Sequence, residues 1–134
     1  MRLVLDTNVL IAAFISRGAC NELLEHCVLN HEVVLSGFIL GEIADNLVDK
    51  FKFTVREANG VVRLLKSRCQ VVDISPLPSP VSRDPDDDHI IATAIAGTCR
   101  CIVTGDKDLL DLECVEGIQI VSPRCFWPFE ATEK

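Results

Sequence analysis

The chain has 134 residues, of which 49% are hydrophobic, and a formal net charge of −7. That size and apolar content fit one domain with a substantial buried core and exclude a disordered chain. The acidic total excludes a surface coated in positive charge. No apolar run nears the ~18 residues of a membrane-spanning helix, and Arg2 leads at once into a strand-like segment rather than a secretory leader, so a soluble cytoplasmic protein without membrane attachment is expected.

Residues 2–5 read as a buried strand, and Thr7 or Asn8 as the cap of a helix through Val9–Phe14. Gly18 ends that helix, and a second is expected from about Ala19 to Leu29. Glu32–Leu35 is the next strand. Ser36 is the expected cap of a helix carrying Ile39, Leu40, Ile43 and Leu47 on one side, with Glu42 among them. Thr54 caps a further helix whose apolar side holds Val55, Val61, Val62, Leu64 and Leu65. Cys69–Ile74 is a strand. The stretch Ser75–Pro80 contains three prolines and is a crossing loop.

Asp86–Ala96 reads as a helix with Ile90, Ile91, Ala94 and Ile95 on its apolar side and acids in its first turn, where the helix dipole favours negative charge. Residues 101–104 form a strand, Asp106–Leu112 a short helix, and Ile118–Val121 a last strand. In the tail, Phe126, Trp127 and Phe129 are expected to pack on the body. Strands alternating with helices predict a three-layer α/β/α fold around a central parallel sheet of four to five strands.

The seven cysteines include no Cys-x-x-Cys pair and read as reduced thiols. His26, His31 and His89 make no ligand-spaced pairs with them, which argues against a structural zinc site. Charge is unevenly spread. Lys50–Arg68 holds six basic residues and one acid, whereas Asp84–Glu116 holds nine acids and two basic residues. The basic stretch is either a solvated helix face or a contact surface for phosphates or an acidic partner.

The acids carry most information. Leu3–Leu5 ends at Asp6-Thr7-Asn8, and Ile102-Val103-Thr104 ends at Gly105-Asp106, so two apolar strands each terminate near a Thr and an Asp. In a parallel sheet both endings belong to the carboxyl edge, where ligands bind. Glu42 and the run Asp84–Asp88 can reach that edge from adjoining helices. Carboxylates gathered there repel one another and are costly to desolvate, which points to a divalent cation held by oxygen ligands. Asp87 and Asp88 lie about 100° apart around a helix, and periodicity leaves open which one faces inward. Asp84 is the expected cap of that helix, and Asp86, Asp108 and Asp111 are expected to be solvated.

Taken together, Leu5-Asp6-Thr7-Asn8-Val9-Leu10, Glu42, Arg83-Asp84-Pro85-Asp86-Asp87-Asp88 and Val103-Thr104-Gly105-Asp106-Lys107-Asp108-Leu109-Leu110 resemble a PIN domain. The resemblance runs through nearly the whole chain and is greatest to the small single-domain prokaryotic type, the VapC-like toxins of toxin–antitoxin pairs. It implies a single PIN-like domain over residues 1–134. It also implies an endoribonuclease that cleaves RNA phosphodiesters with metal-activated water, using Mg²⁺ or Mn²⁺. Carried over by motif position, the metal-binding and catalytic acids are Asp6, Glu42, Asp87 and Asp106, with Asn8, Thr104 and Ser36 in support. The family spacing favours Asp87, although an ungapped count back from Asp106 allows Asp88. Glu42 could bind metal through water or orient the attacking water. A cognate antitoxin and a homodimer are the implied partners.

Two other classes compete. A phosphohydrolase or phospho-acceptor domain would use Asp6 as nucleophile, but Asn8 stands where such enzymes place a second Asp. A non-catalytic PIN module would bind RNA or protein through the same fold.

Overall fold

The computed structural model of the chain describes residues 1–133. Its elements run β1 (Arg2–Leu5), α1 (Thr7–Ile15), α2 (Ala19–Asn30), β2 (Glu32–Ser36), α3 (Gly37–Phe51), α4 (Val55–Arg68) and β3 (Gln70–Val72). Then follow α5 (Pro85–Ala96), β4 (Cys101–Val103), α6 (Lys107–Leu110), β5 (Cys114–Val115), β6 (Ile118–Val121) and α7 (Pro123–Thr132). None of these helices is long and apolar enough to cross a membrane.

The strands form one six-stranded sheet in the order β3-β2-β1-β4-β6-β5. All neighbours are parallel except β5 and β6, which pair antiparallel. The expected parallel sheet of four to five strands is therefore present, extended by a two-residue edge strand that is too short to leave a periodic signal. Every residue of Leu3–Leu5, Val33–Leu35 and Cys101–Val103 is buried. Continuous apolar runs of this kind belong to strands covered on both faces. Leu3, Val4 and Leu5 register against Cys101, Ile102 and Val103.

Successive strands are first added from β1 toward β3, and the chain then returns to place β4 on the other side of β1. The order of addition thus reverses between β1 and β4, and the ends of these two strands flank the crevice. α1 packs on α2 and α3, and α3 on α4, while α5 crosses β1, β2 and β4. With right-handed crossovers, α1–α4 cover one face and α5 the other.

Several local expectations need correction. The cap of α1 is Asp6 itself, whose side chain accepts from Thr7 N; neither Thr7 nor Asn8 takes that place. Ser36 occupies the cap position of α3 but makes no capping bond, because its Oγ accepts from Thr93 Oγ1 at 2.8 Å. Thr54 and Glu57 form a reciprocal capping box, and Asp84 caps α5 through Asp86 N. Val55 and Leu64 on α4, and Ile95 on α5, are exposed rather than packed. The tail is a helix, α7. Phe126 is fully buried and Phe129 packs on the core, but Trp127 stays 41% exposed. All seven cysteines are free thiols, and burial pushes Cys27 and Cys101 up to about 12.

The turn from α5 into β4 passes close to β2. A Cβ at Gly97 would stand 2.6 Å from Val34 Cγ1, inside the core, and 3.1 Å from Cys99 Sγ. Gly97→Ala is expected to destabilise the protein by about 1–3 kcal/mol through overpacking, read as a lower urea midpoint with an unchanged slope.

Candidate metal centre

The carboxyl ends of β1 and β4 are joined by side chains as well as by the sheet. Asp6 N donates to Val103 O at 2.9 Å, continuing the ladder one residue past β1. The Asp6 side chain then turns into the crevice, almost wholly buried. Its Oδ1 accepts from Thr7 N at 2.6 Å and its Oδ2 from Thr104 Oγ1 at 2.7 Å. Thr104 Oγ1 in turn accepts from Asp106 N at 2.9 Å, so one buried hydroxyl spans both strand endings. Thr7 Oγ1 donates to Glu42 Oε1 at 2.8 Å, which ties α3 to the same centre. Two threonines thereby hold three acids in a fixed relation.

Asp87 enters from the first turn of α5. It is buried, and Ser82 Oγ donates to its Oδ2 at 3.1 Å. Asp88 turns the other way, accepting from Ser82 N at 2.8 Å and from Val81 N at 3.2 Å. Asp87 therefore faces the cleft, and Asp88 fastens the loop that follows the proline stretch. Helical periodicity alone left this open, because the deciding partners lie outside the helix.

Asp6, Glu42, Asp87 and Asp106 all line one cavity of about 260 Å³, together with Asn8. Thr104 lies beneath it, as the hydrogen bonds above require. Ser36 is fully buried against Thr93 and is not part of the lining. Other lining groups carried no signal of their own in the sequence. Asn46 and Lys50 reach the cavity because they follow Glu42 at intervals of four along α3, and that spacing could have placed them. Asp84 and Asp86 form its rim. One oxygen each of Asp87, Asp106 and Asp108 lie within 4.8 Å of one another, and Asp108 is exposed, as expected. Arg83 and Lys107 line a neighbouring groove with Asp108, and His89 stacks on Phe38 with ring centroids 4.1 Å apart.

The electrostatics match this crowding. Burial pushes Asp6 above its ordinary value; the bonds from Thr104 and Thr7 act against that, and the charges of Asp106 and Asp84 add to it. Burial likewise raises Glu42, opposed by Thr7 and reinforced by Asp86 and Asp6. Burial, with Asp106 beside it, lifts Asp87 to about 7. Such a set of oxygen donors, with Asp6, Glu42 and Asp87 destabilised as anions by burial and then by neighbouring charge, suits a hard divalent cation.

The Asp87 shift has a sign that can be tested. Its pKa is 3.8 when unperturbed and about 7 in the fold. The stability it contributes is complete below the lower value and drains away as pH rises through the upper one. Metal-free protein is therefore expected to lose stability between those limits. Asp87→Asn should flatten that slope and stabilise the metal-free protein at neutral pH by on the order of 1–2 kcal/mol, allowing for solvent screening, in chemical denaturation across pH.

No curated protein matches the chain. Among solved structures, it is similar to VapBC2 from Rickettsia felis bound to a promoter DNA fragment, with a TM-score of 0.65, 17% identity, and 91% of this chain and 98% of that one covered. VapBC-1 from nontypeable Haemophilus influenzae gives a TM-score of 0.64 at 16% identity, covering 92% and 99%. VapC20 of Mycobacterium tuberculosis, a toxin that cleaves the sarcin–ricin loop, gives 0.62 at 15% identity, covering 85% and 97%. At these identities the likeness is one of fold. A family model for the PIN domain matches residues 2–108, which include both strand endings, Glu42 and the start of α5. The chain belongs to the PIN domain family.

Proposed function

We propose that this protein is a divalent-metal-dependent endoribonuclease and the toxin component of a toxin–antitoxin pair, forming a single PIN-like domain over residues 1–134. The observation that carries the reading is the set of acids locked by Thr7 and Thr104 at the sheet's reversal point. Asp6, Asp87, Asp106 and Glu42 are the residues assigned to hold Mg²⁺ or Mn²⁺. A metal there would activate water toward a phosphodiester and offset charge on the departing oxygen.

The chain's own groups serve this in separate ways. Thr104 and Thr7 fix the two oxygens of Asp6, so that its carboxylate needs little reordering to bind. Thr7 also sets the rotamer of Glu42, and Ser82 that of Asp87. Lys50 brings a cation to the rim of an otherwise acidic cavity, where an RNA phosphate would meet it. The overall charge of −7 is no obstacle to an RNA substrate, since the bound metals would lie between the acids and the phosphate.

Other functions fit less well. A phosphohydrolase using Asp6 as nucleophile would need a second acid two residues on, and the cavity has Asn8 there. A non-catalytic module gives no reason for four acids to be retained around one cavity. The VapBC complexes among the structural neighbours support an antitoxin as partner; a homodimer acting in the cytoplasm is part of the same proposal.

Purified protein should cleave structured or single-stranded RNA, including transfer RNA, with Mg²⁺ or Mn²⁺ and not in excess EDTA. Asp6→Asn should lower the rate by about 10²–10³-fold, as expected for loss of a group that stabilises the reacting charge. Cleavage that survives both treatments would sink the mechanism. In cells, growth arrest by the wild type but not by Asp6→Asn, relieved by the product of a short upstream gene, is the expected result for a toxin.

A further inference from the structure

A second group of potential metal ligands lies at the opposite, amino-terminal edge of the sheet. His26 is in the last turns of α2, His31 is the residue that leads from α2 into β2, and Glu130 comes from α7. Glu130 is about a hundred residues from the two histidines in the chain, yet Nε2 of His26 and Nε2 of His31 each donate to its Oε2 at 2.5 Å. Two imidazoles aimed at one oxygen, rather than one at each, is the arrangement of three donors about a point. All three side chains are largely buried, at 30%, 13% and 24% exposure.

The geometry points to a zinc-class metal site formed by His26, His31 and Glu130 that staples α7 to α2 and the start of β2. Two imidazoles and a carboxylate are a known ligand set for a borderline-soft divalent ion, with a fourth position left for water. Mg²⁺ and Ca²⁺, which demand oxygen ligands, suit the acids at the other end of the sheet instead. Tetrahedral ligation at about 2.0–2.1 Å spaces ligand atoms about 3.3 Å apart, so the nitrogen–oxygen gaps must open by about 0.8 Å, a shift that side-chain rotation supplies.

Asn30 Nδ2 faces Nδ1 of His26 at 3.3 Å while also donating to His26 O, and the Met1 ammonium donates to Nδ1 of His31 at 3.0 Å. These outer contacts turn both Nε2 atoms toward Glu130. Phe126 and Trp127 pack edge-on against His26, giving the group an apolar wall. Glu130 lies outside residues 2–108, so the site is not part of the segment that the PIN family model covers. The histidines had seemed unlike a zinc site because they were weighed against the cysteines; the third ligand is a distant glutamate.

Trp127 is the sole tryptophan, and its ring lies 4.8 Å from that of His26, so its fluorescence reports on this site and not on the acidic centre. Co²⁺ titrated into the full chain should quench Trp127 with one equivalent, Zn²⁺ should reverse the quenching, and Mg²⁺ should have no effect. Asp6→Asn should leave the titration unchanged. His26→Gln and His31→Gln keep a donor toward Glu130, and so preserve a simple hydrogen-bonded staple, but should weaken Co²⁺ binding by at least ~10-fold; Asn30→Ala should weaken it by about 10-fold. Absence of quenching in the wild type, or equal quenching in both Gln variants when circular dichroism shows them folded, overturns the proposal.

Discussion

The whole arrangement depends on one buried carboxylate. Asp6 is withdrawn from water at the end of a strand whose preceding residues are fully covered, and it cannot sit there without donors. The two it has, Thr7 N and Thr104 Oγ1, come from either side of the point where the sheet reverses its order. Satisfying Asp6 therefore fixes β1 against β4, and the hydroxyl that does so also receives Asp106 N. The site is a by-product of meeting a hydrogen-bonding requirement in the core.

A second tension is set against this. Asp106 is brought close enough to Asp87 to raise its proton affinity, and Glu42 is held near Asp86. The fold accepts repulsion at its reversal point that apolar side chains there would have avoided. Proteins keep such local conflicts where function needs them, and a centre that is uneasy without a cation is also one that favours acquiring one. The apolar body of the sheet, with Phe126, Leu3–Leu5, Val33–Leu35 and Cys101–Val103 buried, is what tolerates the conflict.

Much of this was legible in the sequence because it follows from short-range rules. Three-residue apolar runs ending in Thr and Asp mark strands entering a crevice, and the spacing of Ile39, Ile43 and Leu47 marks the buried side of α3. What the sequence left open or missed depends on partners outside each local pattern. Ser36 looks like a cap, but Thr93 on α5 claims its hydroxyl. Asp88 competes with Asp87 by periodicity, and the backbone of residues 81–82 decides between them. Lys50 belongs to the basic stretch that reads either as a solvated face or as a contact surface for phosphates, and its position two turns after Glu42 carries it to the cavity. α7 was hidden by Pro123 and Pro128, the first of which occupies the tolerated opening position of a helix.

The pairing of β1 with β4 also has a consequence in time. Asp6 and Thr104 are 98 positions apart, and the hydrogen bond between them must wait until the intervening chain has been made and folded back. β1 can meet β2 early, through a connection of modest length, but its other edge stays open until β4 arrives. Long loop closures of this kind come late in folding. A nascent chain thus carries Asp6 and Glu42 without the partners that complete the acidic centre, which is assembled only when the sheet is nearly whole.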